Sequence, residues 1–404
     1  MNYPDSVVLD SSIQMVLAVS GGADSMYMAM RFSELYGAEK AIALIVDHGI
    51  RQGSGDEAKW VMDYLKEKGF KAEILSLNMD ADLESGIQET ARKLRYQALL
   101  KYCEEYQIYD LSFAHNLDDQ LETIFMNLER GSGLDGAAGI APQKRYGNVT
   151  IHRPILDTSR DVIESELKEK NWEWVEDPSN QNENFKRVRI RKFLREFEDY
   201  ATLRKRSGLF VKNLRQAQDF IEHELLSAND KIVRYDDLCY AEIDCKAFWN
   251  LHPELQNRLF IKVLQSVSGN VLKPRLQKLE VMLDRIENAA KNDEDTWTFG
   301  GCLIIYKQGL LYIIRELNAI EEGEDRILGF DCYDNRFKML KGNGAIAPLG
   351  LEGYSWLRGE IELPKKVSNM VYQVLPTIRD ENGQIVAVYG LYGNWEDYLM
   401  AILF

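Results

Sequence analysis

The chain has few cysteines and no pattern that joins them. Five cysteines are scattered through 404 residues, and none of them belongs to a Cys-x-x-Cys pair. An odd, dispersed set argues against a zinc ribbon, an iron–sulfur cluster and a disulfide framework. We therefore expect reduced thiols that are mostly buried.

Long apolar runs and an excess of positive charge are also missing. No stretch reads as a membrane span, and the first ten residues contain no lysine or arginine. A signal peptide is therefore not expected, and we predict a cytoplasmic protein. The 49 lysines and arginines are outnumbered by 64 aspartates and glutamates, which gives a net charge of −15. Because an acidic surface repels phosphate, this average speaks against a nucleic-acid partner.

The length and the order of apolar runs predict an α/β protein with several domains. A single core rarely exceeds ~250–300 residues. Four short apolar runs in the first third alternate with amphipathic helical patterns. This order predicts a doubly wound parallel sheet with helices on both faces. The four predicted strands are 15–19, 41–46, 72–75 and 111–114.

The pattern changes after about residue 198. Helical faces dominate the middle of the chain, followed by two apolar runs, 297–306 and 310–314, that predict a β-hairpin. An acidic linker then leads to short runs that predict a small β-rich part. We predict an α/β domain over 1–200, a helical middle domain over 201–320 and a small C-terminal domain over 321–404.

A glycine-rich turn follows the first predicted strand directly. It reads Ser20-Gly21-Gly22-Ala23-Asp24-Ser25. Between a strand and a helix, such a turn directs backbone N–H groups and a helix N-terminus at one spot, which suits a phosphate. The P-loop of kinases is not expected, because no lysine follows Gly22 before Lys40. The alternative is an ordinary tight turn with serine and aspartate as helix caps.

Acidic residues follow the fourth predicted strand. A helix beginning near Asn116 places Asp118, Asp119 and Glu122 within one turn of each other, with His115 at its mouth. Such carboxylates suit Mg²⁺ that neutralises ATP phosphates. Alternatively, they complement the helix dipole without a metal.

Arginines form two further candidates. Arg92 and Arg95 lie one helical turn apart and can offset charge near a triphosphate, although on a solvated helix they mean little. Between Lys186 and Arg206, nine basic residues face three acidic ones. A stripe of this density binds a polyanion, or is a solvated helix face.

Two glycine-containing segments are ambiguous. Residues 131–136 fit Gly-x-Gly-x-x-Gly, but they close a helical run, so a substrate-facing loop or a helix C-cap is expected in place of a dinucleotide site. Residues 47–51 end the second strand, where they touch the nucleotide or merely turn the chain.

Taken together, these motifs closely resemble the tRNA(Ile)-lysidine synthetases. The resemblance implies an ATP-dependent ligase that adenylates the C2 oxygen of the wobble cytidine of tRNA(Ile) with a CAU anticodon. Pyrophosphate leaves, the amine of L-lysine then attacks C2, and AMP is expelled. Codon specificity changes from AUG to AUA. The matching segments are 20–25, 46–51, 91–96, 114–123, 130–136 and 176–180.

The resemblance also implies roles for individual residues. Residues 20–25 bind ATP, and Asp24 is needed for adenylation; Mg²⁺ accompanies ATP. The other implied catalytic or ATP-binding residues are His115, Asp119 and an arginine of segment 91–96, Arg92 or Arg95. Arg187 and Arg191 match a family segment, and together with Arg195 of the basic stripe they are the expected tRNA-binding residues. The middle and C-terminal domains are also expected to bind tRNA. Val188 stands where the family usually has asparagine.

Two alternative functions and a homodimer are also compatible with the sequence. A tRNA 2-thiolation enzyme has the same loop, but the scattered cysteines disfavour it. A catalytically silent tRNA-binding protein need not keep Asp24, His115, Asp118 and Asp119.

Overall fold

The structure, a computed structural model, describes residues 15–47, 49, 53–77, 87–176, 186–270, 272–289, 294–320, 325–327, 330–334, 336–339, 345–365, 368–397 and 399–401. The chain separates into two compact units, Met1–Gln218 and Asp219–Phe404. The three-domain division stays a prediction. No helix within the ranges above is long and apolar enough to cross a membrane.

A mostly parallel sheet forms the centre of the first unit. Its strands are β1 (Met15–Val19), β2 (Ala41–Asp47), β3 (Lys71–Ser76), β4 (Asp110–Ser112), β5 (Gln143–Tyr146) and β6 (Val149–His152). The spatial order is β3-β2-β1-β4-β6-β5, and only β5 runs antiparallel to its neighbour. The predicted α/β fold and its four predicted strands are confirmed. The β5–β6 hairpin was not predicted, because β5 is polar and largely exposed.

Helices connect and cover these strands. Val61 and Leu65 of the second helix are buried, as their helical spacing predicts, and they join Leu17 of β1 and Met26 of the first helix in one apolar core. The helices are α1 (Ala23–Tyr36), α2 (Ser54–Glu67), α3 (Ile87–Glu105), α4 (Leu117–Glu129), α5 (Leu134–Ala137), α6 (Arg160–Glu169), α7 (Lys186–Arg195) and α8 (Tyr200–Ile232).

An antiparallel sheet organises the second unit. Its strands are β7 (Val233–Tyr235), β8 (Ala241–Asp244), β9 (Glu294–Phe299), β10 (Cys302–Lys307) and β11 (Leu310–Arg315), in the order β7-β8-β11-β10-β9. The predicted run 297–306 is not one strand, because a turn at Gly300 and Gly301 divides it between β9 and β10. The predicted hairpin with the second run is formed by β10 and β11, with Ile305 opposite Tyr312. Successive side chains of a strand point to opposite faces. Ile304 therefore packs with Phe260, whereas Leu303 packs with Phe337 of the C-terminal part.

The remaining elements confirm a helical middle and a β-rich end. Pro253 is the first residue of a helix, a position that suits proline. Two small antiparallel sheets follow, one of four strands and one of three. The elements are α9 (Cys245–Trp249), α10 (Pro253–Ser268), α11 (Leu276–Ala289), β12 (Asp325–Ile327), β13 (Phe330–Tyr333), β14 (Phe337–Met339), β15 (Ala345–Pro348), α12 (Gly350–Glu360), α13 (Met370–Gln373), β16 (Pro376–Arg379), β17 (Ile385–Val388) and β18 (Leu399–Ala401).

Candidate active site

The strand order of the first sheet reverses at β1, which lies between β2 and β4. In open α/β sheets, ligands bind outside the carboxyl ends of the strands at such a point. The chain leaves β1 through the glycine turn 20–25, and it leaves β4 through His115 and the start of α4. Both predicted motifs therefore lie at the same crevice.

The glycine turn has a backbone that only glycine accommodates at one position. Gly21 has a φ of +82°, and a Cβ atom there would approach Val61 to 2.5 Å. The Ser25 hydroxyl donates to the Gly22 carbonyl at 2.9 Å and accepts from the Ser20 N–H at 3.1 Å. No described side chain caps the N-terminus of α1. The turn is thus held from inside, and the first N–H groups of α1 suit an anion.

Asp24 reaches across the crevice to the second motif. Its Oδ1 accepts from the Asn116 amide at 2.8 Å, although 92 residues separate the two. Its Oδ2 accepts from Arg160 Nη1 at 2.6 Å. Burial raises the pKa of Asp24, and the Arg160 charge and the Asn116 hydrogen bond act in the opposite direction. Asp24 is therefore a fixed carboxylate that joins the two motifs, and it is not a cap of its own helix.

The start of α4 is closed by a reciprocal cap. The Asn116 side chain accepts from the Asp119 N–H at 2.9 Å, and the Asp119 carboxylate accepts from the Asn116 N–H at 3.0 Å. Asp118 accepts from the Arg160 N–H at 2.8 Å, from the Tyr200 hydroxyl at 2.8 Å and from Arg204 at 3.1 Å. Burial opposes ionisation of Asp118, but these donors outweigh it and lower the pKa of this carboxyl.

Two arginines of α7 form ion pairs with Asp119 and Glu122 of α4. Arg187 contacts Asp119 at 2.7 Å and Glu122 at 2.6 Å. Arg191 contacts Glu122 at 2.5 Å. The Glu122 side chain is only 1% exposed, so its charge depends on these two partners. The sequence predicts different ligands for the acidic cluster and for the basic stripe. In the structure, arginines of the stripe instead form ion pairs with carboxylates of the cluster.

These contacts do not fit the predicted magnesium site of Asp118, Asp119 and Glu122. Asp118 is directed to Arg160, Tyr200 and Arg204, whereas the other two carboxylates are directed to α7. Within the described ranges, no group of three histidine, cysteine, aspartate or glutamate side chains is arranged to hold a metal ion. The physical reason is that arginines supply the positive charge that the carboxylates need.

His115 lies among positive side chains. Burial holds the pKa of His115 well below 6.5, and the charges of Arg153, Arg187, Arg92 and Arg95 lower it further. The imidazole is therefore neutral. His115 Nδ1 and the Nε atoms of Arg95 and Arg153 are buried and have no hydrogen-bond partner in the described part of the chain. Unpaired buried donors are costly, and phosphate oxygens are suitable acceptors for them.

A ladder of rings places the predicted arginines of α3 beside His115. The Arg92 guanidinium lies 5.8 Å from the centre of the Tyr96 ring. Tyr96 stacks on Phe113 with centroids 4.6 Å apart, and the Phe113 and His115 rings are 6.1 Å apart. Because Phe113 directly follows β4, the ladder docks α3 at the carboxyl edge of the sheet.

The predicted helix start near Asn116 is confirmed, since Asn116 is the N-cap of α4. Sequence reasoning missed the contact of Asn116 with Asp24, and it missed Arg153 and Arg160. Arg153 directly follows β6, the neighbour of β4, and is buried. Arg160 begins α6 and has no comparable local signal.

Other predicted residues take simpler roles. Asp47 accepts from the Gly49 N–H at 3.0 Å and from the Ser54 hydroxyl at 2.7 Å, so it turns the chain. Gly131, with a φ of +67°, directly follows the C-cap of α4, consistent with the C-cap alternative. His48 and residues 50–51 and 177–180 of the matching motifs lie outside the described residues.

The basic stripe is divided by the structure. Arg187 and Arg191 are partly buried in ion pairs, whereas Arg195 is exposed. Val188 is buried, as suits an apolar side chain.

Comparisons with known proteins identify the family of the chain. The PP-loop domain family matches residues 4–197. The chain is 30% identical to the tRNA(Ile)-lysidine synthase of Wolbachia pipientis wMel over 91% of this chain and 87% of that protein. It is 32% identical to the one of Wolbachia sp. subsp. Brugia malayi (strain TRS), over 76% of this chain and 72% of that protein. It is 31% identical to the one of Anaplasma marginale (strain St. Maries), over 80% of this chain and 70% of that protein. The chain therefore carries a PP-loop domain and belongs to the tRNA(Ile)-lysidine synthase family.

Proposed function

We propose that this chain is an ATP-dependent ligase that attaches L-lysine to C2 of the wobble cytidine of tRNA(Ile) with a CAU anticodon. The observation that carries the proposal is the contact between Asp24 and Asn116. It holds the PP-loop and the start of α4 around one crevice at the switch point of the sheet. One ATP molecule placed there touches the residues that the family resemblance singles out.

The first step activates the base. The C2 oxygen of cytidine attacks the α-phosphorus of ATP, the bond from that phosphorus to the bridging oxygen breaks, and pyrophosphate leaves with the bonding electrons. N–H groups of residues 20–25 hold the phosphates. Positive charge from Arg92, Arg95 and Arg153 stabilises the charge that develops during the transfer. We assign no step to Asp118, Asp119 and Glu122 as magnesium ligands.

Asp24 and His115 have different proposed tasks. Asp24 is held on both oxygens, which favours a role in orientation of the bound nucleotide at a fixed position. His115 is neutral, so it contributes a hydrogen bond and no charge. Its Nδ1 has no described partner and suits a phosphate or base atom.

The second step forms lysidine. The amine of lysine attacks C2, the bond between C2 and the adenylated oxygen breaks, and AMP leaves; the amine loses a proton. A pyrimidine oxygen is a poor leaving group, so its conversion to a phosphate ester permits this substitution. The product pairs with AUA in place of AUG.

The cysteines disfavour the thiolation alternative. Cys103, Cys245 and Cys302 are buried, and burial raises the pKa of each thiol to about 12. These residues are therefore protonated and poorly nucleophilic near neutral pH. The retained site, with Asp24 and His115 in place, likewise disfavours a silent binding protein.

We propose different roles for the three α7 arginines that are predicted to bind tRNA. Arg195 is exposed and keeps its proposed phosphate contact. Arg187 and Arg191 are paired with carboxylates, so we propose that their first task is to fix α7 to α4. A homodimer remains a proposal that light scattering tests.

The test mixes the protein with ATP, radiolabelled lysine and a CAU tRNA(Ile) transcript. We expect lysine on the tRNA, with one AMP and one pyrophosphate for each lysine. A matched transcript with uridine at the wobble position is the control and should receive none. Incorporation of sulfur from a labelled donor, or tRNA binding without lysine transfer, would contradict the proposal.

A further inference from the structure

The two sides of α7 differ in character. Arg187 and Arg191, one turn apart, are tied to Glu122. On the opposite side, Arg189 and Phe193 are exposed. Phe193 is 53% exposed and Phe197, just beyond the helix, is 42% exposed. The buried arginine side faces the candidate active site, and the exposed aromatic side is available to a partner.

The two phenylalanine rings form an ordered pair. Their centroids are 5.4 Å apart and their planes are at 87°, an edge-to-face contact. Neither ring belongs to an apolar core cluster of the described residues. An exposed apolar patch with a polar rim marks an interaction site. Packing among the described residues therefore does not explain why the two rings are exposed side by side. Contact with a partner that has flat rings does explain it.

The exposed charges on α7 near the pair are basic. They are Arg189, Lys192 and Arg195, whereas the exposed acidic residues Glu196, Glu198 and Asp199 follow the end of the helix. Cations beside exposed aromatic rings are the combination that binds single-stranded nucleic acid, because every base has a face that stacks.

We propose that Phe193 and Phe197 form a stacking platform for an unpaired base of the RNA substrate, with Arg189 and Arg195 on its phosphates. The inference rests on the proposed function, because it needs an RNA with unpaired bases. Since α7 is ~10 Å wide with side chains, the platform lies about one helix diameter from the ion pairs of Glu122. The stacked base helps to hold the unpaired segment of the RNA in place.

The test measures tRNA affinity by filter binding at several salt concentrations. The double variant Phe193→Ala, Phe197→Ala should bind the CAU transcript about 5- to 100-fold more weakly, with an unchanged salt slope. Phe193→Tyr keeps a ring and should bind like the parent protein, whereas Phe193→Leu should not. Arg189→Gln and Arg195→Gln should each reduce the salt slope by about one.

The matched control is Tyr109→Ala. Tyr109 is also 53% exposed but precedes β4, at the amino edge of the sheet. Its loss should leave tRNA affinity unchanged. All of these side chains are exposed, so thermal melting should show folded variants.

Three results would overturn the platform. They are full tRNA affinity in the double variant, a Phe193→Leu variant that binds like the parent, or alanine variants that change only the molar mass in light scattering. The last result would assign the patch to contact between copies.

Lysine transfer by the parent protein is measured in parallel. If it occurs while the double variant binds normally, the platform fails and the proposed function stands; if the parent neither binds tRNA nor transfers lysine, the proposed function itself fails.

Discussion

The guanidinium of Arg160 lies 2.6 Å from the carboxylate of Asp24, and 136 residues separate the two in sequence. The backbone N–H of Arg160 donates to Asp118 at 2.8 Å, and its Nε donates to Glu164 at 2.7 Å. One residue at the start of α6 thus contacts both the glycine turn and the helix after β4. We regard Arg160 as a positioning residue for Asp24.

Replacement of Arg160 by lysine should slow catalysis. Lysine keeps the positive charge but lacks the planar fork that contacts Asp24 and Glu164 together, so Asp24 loses its fixed position. We expect kcat for pyrophosphate release to fall about 10- to 100-fold, with a smaller change in the KM for ATP. Arg31→Lys, at an exposed pair with Glu34, is the control and should be neutral. An unchanged kcat for Arg160→Lys would remove this role.

Asp24→Asn should abolish pyrophosphate release while tRNA still binds. The amide has nearly the same shape but no charge, so it cannot form the ion pair with Arg160. Labelled ATP reports the first reaction step, and filter binding reports tRNA affinity. Asp63→Asn, at an exposed position of α2, is the matched substitution that should have no effect. Turnover retained in Asp24→Asn would exclude Asp24 from the mechanism.

Glu122→Gln should lower the free energy of unfolding by about 1–3 kcal/mol. Glu122 is buried and accepts from Arg187 and Arg191, and the variant removes the negative charge that both cations share. Urea denaturation measures the change. Glu129 also pairs with α7, through Lys186, but its side chain is 59% exposed. Glu129→Gln should therefore cost less than ~1 kcal/mol, and equal losses in the two variants would contradict the network.

The lowered pKa of His115 predicts that the free energy of unfolding depends on pH. Its pKa in the folded chain lies well below 6.5, so below pH 6.5 the unfolded chain binds a proton that the folded chain does not. The free energy of unfolding therefore falls as the pH drops below 6.5, by at most ~1.4 kcal/mol per pH unit for this group. Above that pH the group has no effect.

His115→Gln should weaken this dependence. Denaturation between pH 6.5 and about pH 5 should show a shallower loss of stability than in the parent protein. His223→Gln is the control, because the His223 side chain is 81% exposed. The same pH slope in parent and His115→Gln would show that His115 takes up a proton in the folded chain as readily as in the unfolded one.

Local sequence patterns predicted the fold of the first unit and the place of its site. Strand β1 and the turn at Gly21 are neighbours in the chain, and parallel topology brings the end of β4 to the same edge. What the patterns could not predict is which charged groups meet. Glu122 and Arg187 are 65 residues apart, and each alone reads as a ligand for something outside the protein. Only the packing of α7 on α4 shows that these two side chains pair with each other. Because this pairing cannot be read from the sequence, the carboxylates of α4 taken alone indicate a magnesium site.

We expect the glycine turn and the start of α4 to bind one ATP molecule between them. A crystal structure with α,β-methylene ATP, which cannot be cleaved at the reacting bond, would show where the nucleotide lies. We expect the triphosphate between residues 20–25 and His115, with Asp24 still beside Asn116. A nucleotide bound elsewhere, or a crevice in which Asp24 and Asn116 lie far apart, would contradict the account.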